Sequence, residues 1–300
     1  MFVKKTVLLW VCVAVLFVSQ PVLAQAPSNA NSLIAHYALD GNADDSSIYG
    51  NDGFWVDPAA EDYNTDDPAI GSGSAVFSGT DGSYIDVGTG AAPNPQMADN
   101  YAQGSVSFWF KTTSDDEMSV MGVTNNGTAS AFNIAVNHGN TAGRMAVYIR
   151  SEGGGGNVNL QANGGSGVVD GQWHHVAIVW GEDTAADAYI DGVLVESWSR
   201  RVADSPWLAE WDYPVLIGAR NNRGTIDNLF VGELDDIKLF NYRLTEQDVI
   251  DELVAGPANW VCEDRPEYDL TGDCLVGLAD FALLAEEWLE CGRDPEIYCP

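Results

Sequence analysis

From residue 33 to residue 240 the chain is a succession of short apolar runs separated by Gly, Asn and Asp. The runs are Leu33–Leu39, Ser74–Phe77, Tyr84–Val87, Ser105–Lys111, Phe132–Asn137, Arg144–Arg150, Trp173–Trp180, Ala188–Glu196, Val215–Ala219 and Glu233–Phe240. They are rich in Val, Ile, Phe, Tyr and Trp, side chains that fit a pleated surface. Several alternate, so that Val106, Phe108 and Phe110 share one face of their strand. Asp191-Gly192 between two such runs predicts a hairpin, because Asp-Gly accepts the positive φ angles of a tight primed turn. Many short strands and almost no helix predict an all-β fold of two packed antiparallel sheets. The one late helical pattern is Thr245–Ala255, where Thr245 and Asp248 form a capping signature and Val249, Ile250 and Leu253 share a face.

The 300 residues are 46% hydrophobic, enough for one large core or two small ones, and carry 44 Asp and Glu against 13 Lys and Arg, a net charge of −31. A surface this acidic repels phosphate, which argues against nucleic acid and against anionic membrane surfaces as partners. At the N-terminus, Lys4 and Lys5 precede an apolar stretch from Val7 to Val18, and Val22 and Ala24 follow it. This pattern predicts a secretory signal over residues 1–24, cut after Ala24. Its removal takes away two lysines and no acid, leaving a net charge of −33 and no stretch long enough to span a membrane. The mature protein is expected to be secreted. A short polar linker, 25–31, leads into the sandwich, expected over 32–255, and a second linker, 256–261, follows it.

Residues 25–261 contain no cysteine, whereas Cys262, Cys274, Cys291 and Cys299 crowd the last stretch. In an oxidising compartment this predicts a small disulfide-stapled module over 262–300. Within it, Asp269, Thr271, Asp273 and Asp280 fall at positions 1, 3, 5 and 12 of a loop, with the Leu275 carbonyl at position 7. That is the oxygen spacing of an EF-hand calcium loop, except that the twelfth residue is Asp rather than Glu. An amphipathic helix follows, with Phe281, Leu284, Ala285 and Trp288 on one face. A helix over 278–290 separates its ends by about 18 Å, too far for Cys274 to pair with Cys291. The favoured pairing is Cys262–Cys274 and Cys291–Cys299.

Three segments carry a family resemblance. They are Leu33-Ile34-Ala35-His36-Tyr37-Ala38-Leu39-Asp40-Gly41 with the later Asp45-Ser46-Ser47 and Gly50-Asn51-Asp52-Gly53; Gln172-Trp173-His174-His175-Val176-Ala177 with Tyr189-Ile190-Asp191-Gly192; and Gly232 through Thr245. In that order they resemble the opening, middle and closing motifs of laminin-G-like, concanavalin A-like jelly-roll domains. The resemblance implies a two-sheet sandwich that serves lectins, adhesion modules and enzymes alike. It also implies a structural calcium near the join of first and last strands, for which Asp40 and Asp235 or Asp236 are the matching acids. Residues 269–290 resemble a dockerin repeat, which implies a cohesin-like partner. The chain has one such repeat where dockerins have two, and Cys274 stands where Gly is usual.

The segment Glu233-Leu234-Asp235-Asp236-Ile237-Lys238 resembles the Glu-x-Asp-x-x-Glu strand of retaining glycosidases of the same fold. Lys238 occupies the last position, and an ammonium cannot serve as the acid/base carboxyl that the chemistry requires. His174 and His175, adjacent on one strand, are expected to face opposite ways, one buried and hydrogen-bonded and the other exposed. Trp207, Trp211 and Tyr213, between prolines, form a candidate sugar platform, since sugars stack on aromatic rings. Asn221-Asn222-Arg223-Gly224 is a candidate source of polar contacts. The expectation is a secreted, non-catalytic protein that binds an extracellular glycan through its sandwich. A calcium-binding tail would attach it to a cohesin-like or cell-surface protein. The alternatives are a polysaccharide-degrading hydrolase or lyase component and an adhesion protein with a protein partner.

Overall fold

The computed structural model describes residues 33–88, 103–125, 131–150, 157–181, 186–198, 212–255, 276 and 281. The expected signal, both linkers and the C-terminal module apart from Val276 and Phe281, its four cysteines included, lie outside the described residues. Among the described residues no helix is long and apolar enough to cross a membrane.

The strands, numbered along the chain, form two sheets. The first contains β1 (Leu33–Tyr37), β3 (Tyr63–Asn64), β4 (Ser74–Ser78), β6 (Gly104–Lys111), β11 (Trp173–Trp180), β12 (Ala186–Ile190), β13 (Val193–Trp198) and β17 (Val231–Phe240). Their order is β13-β12-β11-β6-β17-β4-β3, and β1 also pairs with β17, Leu33 opposite Phe240. The second contains β2 (Phe54–Trp55), β5 (Ile85–Asp86), β7 (Met118–Thr124), β8 (Ala131–Val136), β9 (Arg144–Arg150), β10 (Asn157–Asn163), β14 (Leu216–Ile217), β15 (Arg220–Asn222) and β16 (Thr225–Asp227). Its order is β10-β9-β8-β7-β14-β5-β2, with β15 and β16 attached through β7. All pairings are antiparallel except β15 with β7.

Period-two alternation builds the core. Val106, Phe108 and Phe110 of β6 share the interior with Val176, Ile178 and Trp180 of β11 and Leu234, Ile237 and Leu239 of β17. From the second sheet come Phe132, Ile134 and Val136, then Met145, Val147 and Ile149, then Val158, Leu160 and Ala162. Each such buried side chain contributes about 1.5–3 kcal/mol relative to exposure. The Asp191-Gly192 turn has positive φ at both residues, 50° and 73°, as its sequence predicts.

The outer face of the first sheet is also covered. The helix α1 (Glu246–Val254) starts at Thr245, whose hydroxyl accepts the Asp248 amide while the Asp248 carboxylate takes the Thr245 amide. The expected capping pair therefore forms. Val249 packs with Ala177, Val179, Tyr189, Phe240 and Leu244, and Leu253 packs with Trp109 and Ala69. The corresponding face of the second sheet has no helix across it among the described residues.

Candidate functional site

Strand registry turns the outer face of the second sheet into ordered transverse rows. One row runs Arg220–Gly122–Asn133–Tyr148–Asn159 across β15, β7, β8, β9 and β10. The next runs Asn222–Thr124–Ala131–Arg150–Asn157 across the same strands. A third joins Ala135, Ala146 and Gln161. Small residues along the middle of these rows leave a groove of about 320 Å³, walled by Asn133, Tyr148, Asn159, Gln161 and Asn222 with arginines at its edge. At Gly122 a Cβ would come within 2.5 Å of Asn133 Oδ1 and 3.1 Å of the Arg220 stem, so only glycine lets these two side chains meet over β7. Arg220 is held by two bonds to Asp227, 2.7 and 2.9 Å, and Asn222 Nδ2 donates to the same carboxylate at 2.9 Å. The wall is thus fixed before any ligand arrives, and it offers amides that both donate and accept beside one aromatic ring.

The covered face of the first sheet holds a different set. A bulge in β17 puts Asp236 at φ 46°, a conformation that Asp tolerates better than most residues. Its carboxylate lies 2.6 Å from His36 Nε2 and 2.8 Å from Lys238 Nζ, and Lys238 also reaches Glu252 of α1 at 2.5 Å. Burial pushes Asp236 upward, but the His36 hydrogen bond and the Lys238 charge outweigh it and hold the carboxyl below its ordinary range. Asp235 is different. Burial pushes it up to about 8, although its Oδ2 accepts the Ala69 and Ile70 amides at 2.9 Å. Its Oδ1 has no hydrogen-bond partner, as suits a carboxyl that keeps its proton.

A model of the Laminin_G_3 family, described as the concanavalin A-like lectin/glucanases superfamily, matches residues 78–250. The chain belongs to this superfamily. No curated protein matches it. Among solved structures it is similar to domain 4 of AbnA, an extracellular arabinanase of Geobacillus stearothermophilus, crystallised with arabinotriose. That pair has a TM-score of 0.52 and 22% identity over 74% of this chain and 98% of the other. It is also similar to the ligand-binding domain of botulinum neurotoxin serotype D with N-acetylneuraminic acid, at 0.52 and 19%, and to the binding domain of Paraclostridial Mosquitocidal Protein 1, at 0.53 and 14%. Each of those two matches covers 75% of this chain and about half of the other, 50% and 52%. These likenesses establish the fold.

Within this concanavalin A-like sandwich most of the acids and histidines singled out from sequence are held by partners of their own. Asp40 accepts the amides of Ser72 and Gly73, 2.5 and 2.8 Å away. Asp235 and Asp236 are committed as above, and among the described residues no three His, Cys, Asp or Glu side chains cluster as a metal site. Asp40 and Asp235 thus hold amides of one segment, 69–73, while Asp236 is turned to His36 and Lys238. Glu233, the first acid of the glycosidase-like strand, accepts from Asn64 Nδ2 and Ser74 Oγ and lies 3.2 Å from Lys111. His175 is fully buried, bonded to Ser107 at 2.8 Å, and burial lowers it to about 4. His174, its neighbour, is not the exposed member that the pair was expected to have but is largely covered and clasped between Asp191 and Asp170. Burial pulls its imidazole down, but those carboxylates outweigh burial and raise it.

Tyr213 packs against the core and beside Gly224 rather than in the groove, and Trp207 and Trp211 lie outside the described residues. Asn222 and Arg223 of the expected polar turn do line the groove. The sequence reading missed Asn133, Tyr148, Asn159 and Gln161. The available signal was the strict alternation of Asn157-Val158-Asn159-Leu160-Gln161-Ala162-Asn163.

Proposed function

We propose that this chain is a secreted, non-catalytic carbohydrate-binding protein whose sandwich takes an extracellular glycan in the groove of the second sheet. The observation that carries the reading is the groove wall: four side-chain amides and a tyrosine ring, held on rigid strands over a floor of small residues. A sugar presents hydroxyls that exchange hydrogen bonds with amides and C–H faces that pack on a ring. Two neighbours by fold hold sugars, arabinotriose and N-acetylneuraminic acid, which is in keeping with this role.

The C-terminal loop Asp269, Thr271, Asp273, Leu275 and Asp280 would hold calcium with hard oxygen ligands. In this reading the tail, stapled by Cys262–Cys274 and Cys291–Cys299, attaches the protein to a cohesin-like or cell-surface partner. The leader-like pattern of residues 1–24 is what supports secretion. The test is a glycan array run with calcium and again with chelator, on the wild-type chain and Tyr148→Ala. Loss of the ring is expected to weaken binding about tenfold. Array silence from a folded chain, or full binding by Tyr148→Ala, would overturn the assignment.

A further inference from the structure

The charge of the groove runs against the charge of the chain. With 44 acids to 13 bases, a cation here meets a carboxylate almost anywhere. Lys111 pairs with Asp67 and Glu233, Lys238 with Asp236 and Glu252, Arg220 with Asp227, and Arg243 with Asp187. Among the described residues three arginines pair with no acid: Arg144, Arg150 and Arg223. All three belong to the second sheet. Arg144 and Arg150 stand at the two ends of the outward row of β9, and Arg223 sits in the turn between β15 and β16.

Arg150 and Arg223 line the groove with His138, and among the described residues no Asp or Glu does. Two described acids near it, Asp227 and Glu117, are already engaged. Asp227 is held by Arg220 and Asn222, while Glu117 accepts from the Gly139 amide and Asn228 and lies 3.3 Å from His138.

We propose that the groove selects an anionic saccharide, whose carboxylate or sulfate is taken by the Arg150 and Arg223 guanidinium groups while its neutral hydroxyls meet the amides. The inference rests on the glycan-binding reading above and names its ligand class. A guanidinium offers paired N–H donors that match a carboxylate or sulfate, and bonds to a charged acceptor are about twice as strong as neutral ones. The acidity of the rest of the chain does not prevent this. At physiological ionic strength charges are screened beyond about 8 Å, whereas a contact pair is far closer.

The test uses matched ligands on the full chain: polygalacturonate against galactan, dextran sulfate against dextran, and sialylated against desialylated oligosaccharides. At least one anionic member is expected to bind about tenfold or more tightly than its neutral twin, and the pair that responds tells carboxylate from sulfate. Arg150→Gln with Arg223→Gln is expected to lose about a hundredfold for that ligand, with the thermal midpoint unchanged. Arg150→Lys with Arg223→Lys is expected to recover part of it. Equal binding of neutral and anionic twins, or an unaffected double Gln variant, would overturn the charge preference and leave the groove as a neutral-sugar site. Silence toward all six ligands by the folded chain would overturn both readings.

Discussion

At the scale of single residues, Asp235 shows how a functional-looking motif is put to structural use. Its carboxyl is pushed up to about 8 by burial, so the native state keeps a proton that the unfolded chain releases near its ordinary value of 3.8. The stability this contributes is whole below about pH 4 and is lost progressively as pH rises toward 8. Asp235→Asn carries no such proton. Urea unfolding of the two proteins at pH 5 and pH 8 should show the variant gaining on the wild type at the higher pH. Parallel behaviour would mean that the buried carboxyl is ionised throughout. Sequence alone placed this acid in a catalytic-type pattern because spacing records which residues share a strand face, not what lies above that face. The Ala69 and Ile70 amides that hold it are more than 160 residues away along the chain.

At the scale of elements, the strands and the helix were legible to different degrees for definable reasons. Arg144–Arg150 and Trp173–Trp180 match their strands end to end, because alternation and β-branched content agree there. Thr245–Ala255 was legible because a cap and an apolar stripe coincide. Met118–Thr124 was not, since a register shift between Ser119 and Met121 puts Val120 and Met121 both inside and breaks the period. Asn157–Asn163 was not legible because asparagine is rare in strands, although exposed Asn159, Gln161 and Asn163 alternate with buried Val158, Leu160 and Ala162.

The groove was hidden for the same reason. Its walls come from β15 and from β7 to β10, and only the registry of five strands aligns Arg220, Asn133, Tyr148 and Asn159. The helix that seals the opposite face is itself testable. Leu253 is 1% exposed against Trp109 and Ala69, and Leu253→Ala should cost about 2–5 kcal/mol. Denaturant unfolding measures it, and a loss below about 1 kcal/mol would mean that α1 does not seal the sheet.

At the scale of the whole molecule, the net charge of −31 sets the solution behaviour. Like-charge repulsion opposes the compact state. Raising the ionic strength from about 0.01 M to about 0.15 M shortens the screening length from about 30 to about 8 Å. The thermal midpoint should therefore rise by on the order of a few degrees over that interval. Calorimetry at two sodium chloride concentrations reads it, and a flat or falling midpoint would mean that the acids are neutralised locally by partners or metal.

The pairings of β17 also govern how the protein comes into being. This strand joins β1 and β4 on one edge to β6 on the other, so the first sheet has no middle until residue 240 has left the ribosome. At about 5–20 residues per second that interval is tens of seconds. Before it ends, β4 and β6 wait without the strand that joins them, and whatever escorts the nascent chain must shield them until β17 arrives.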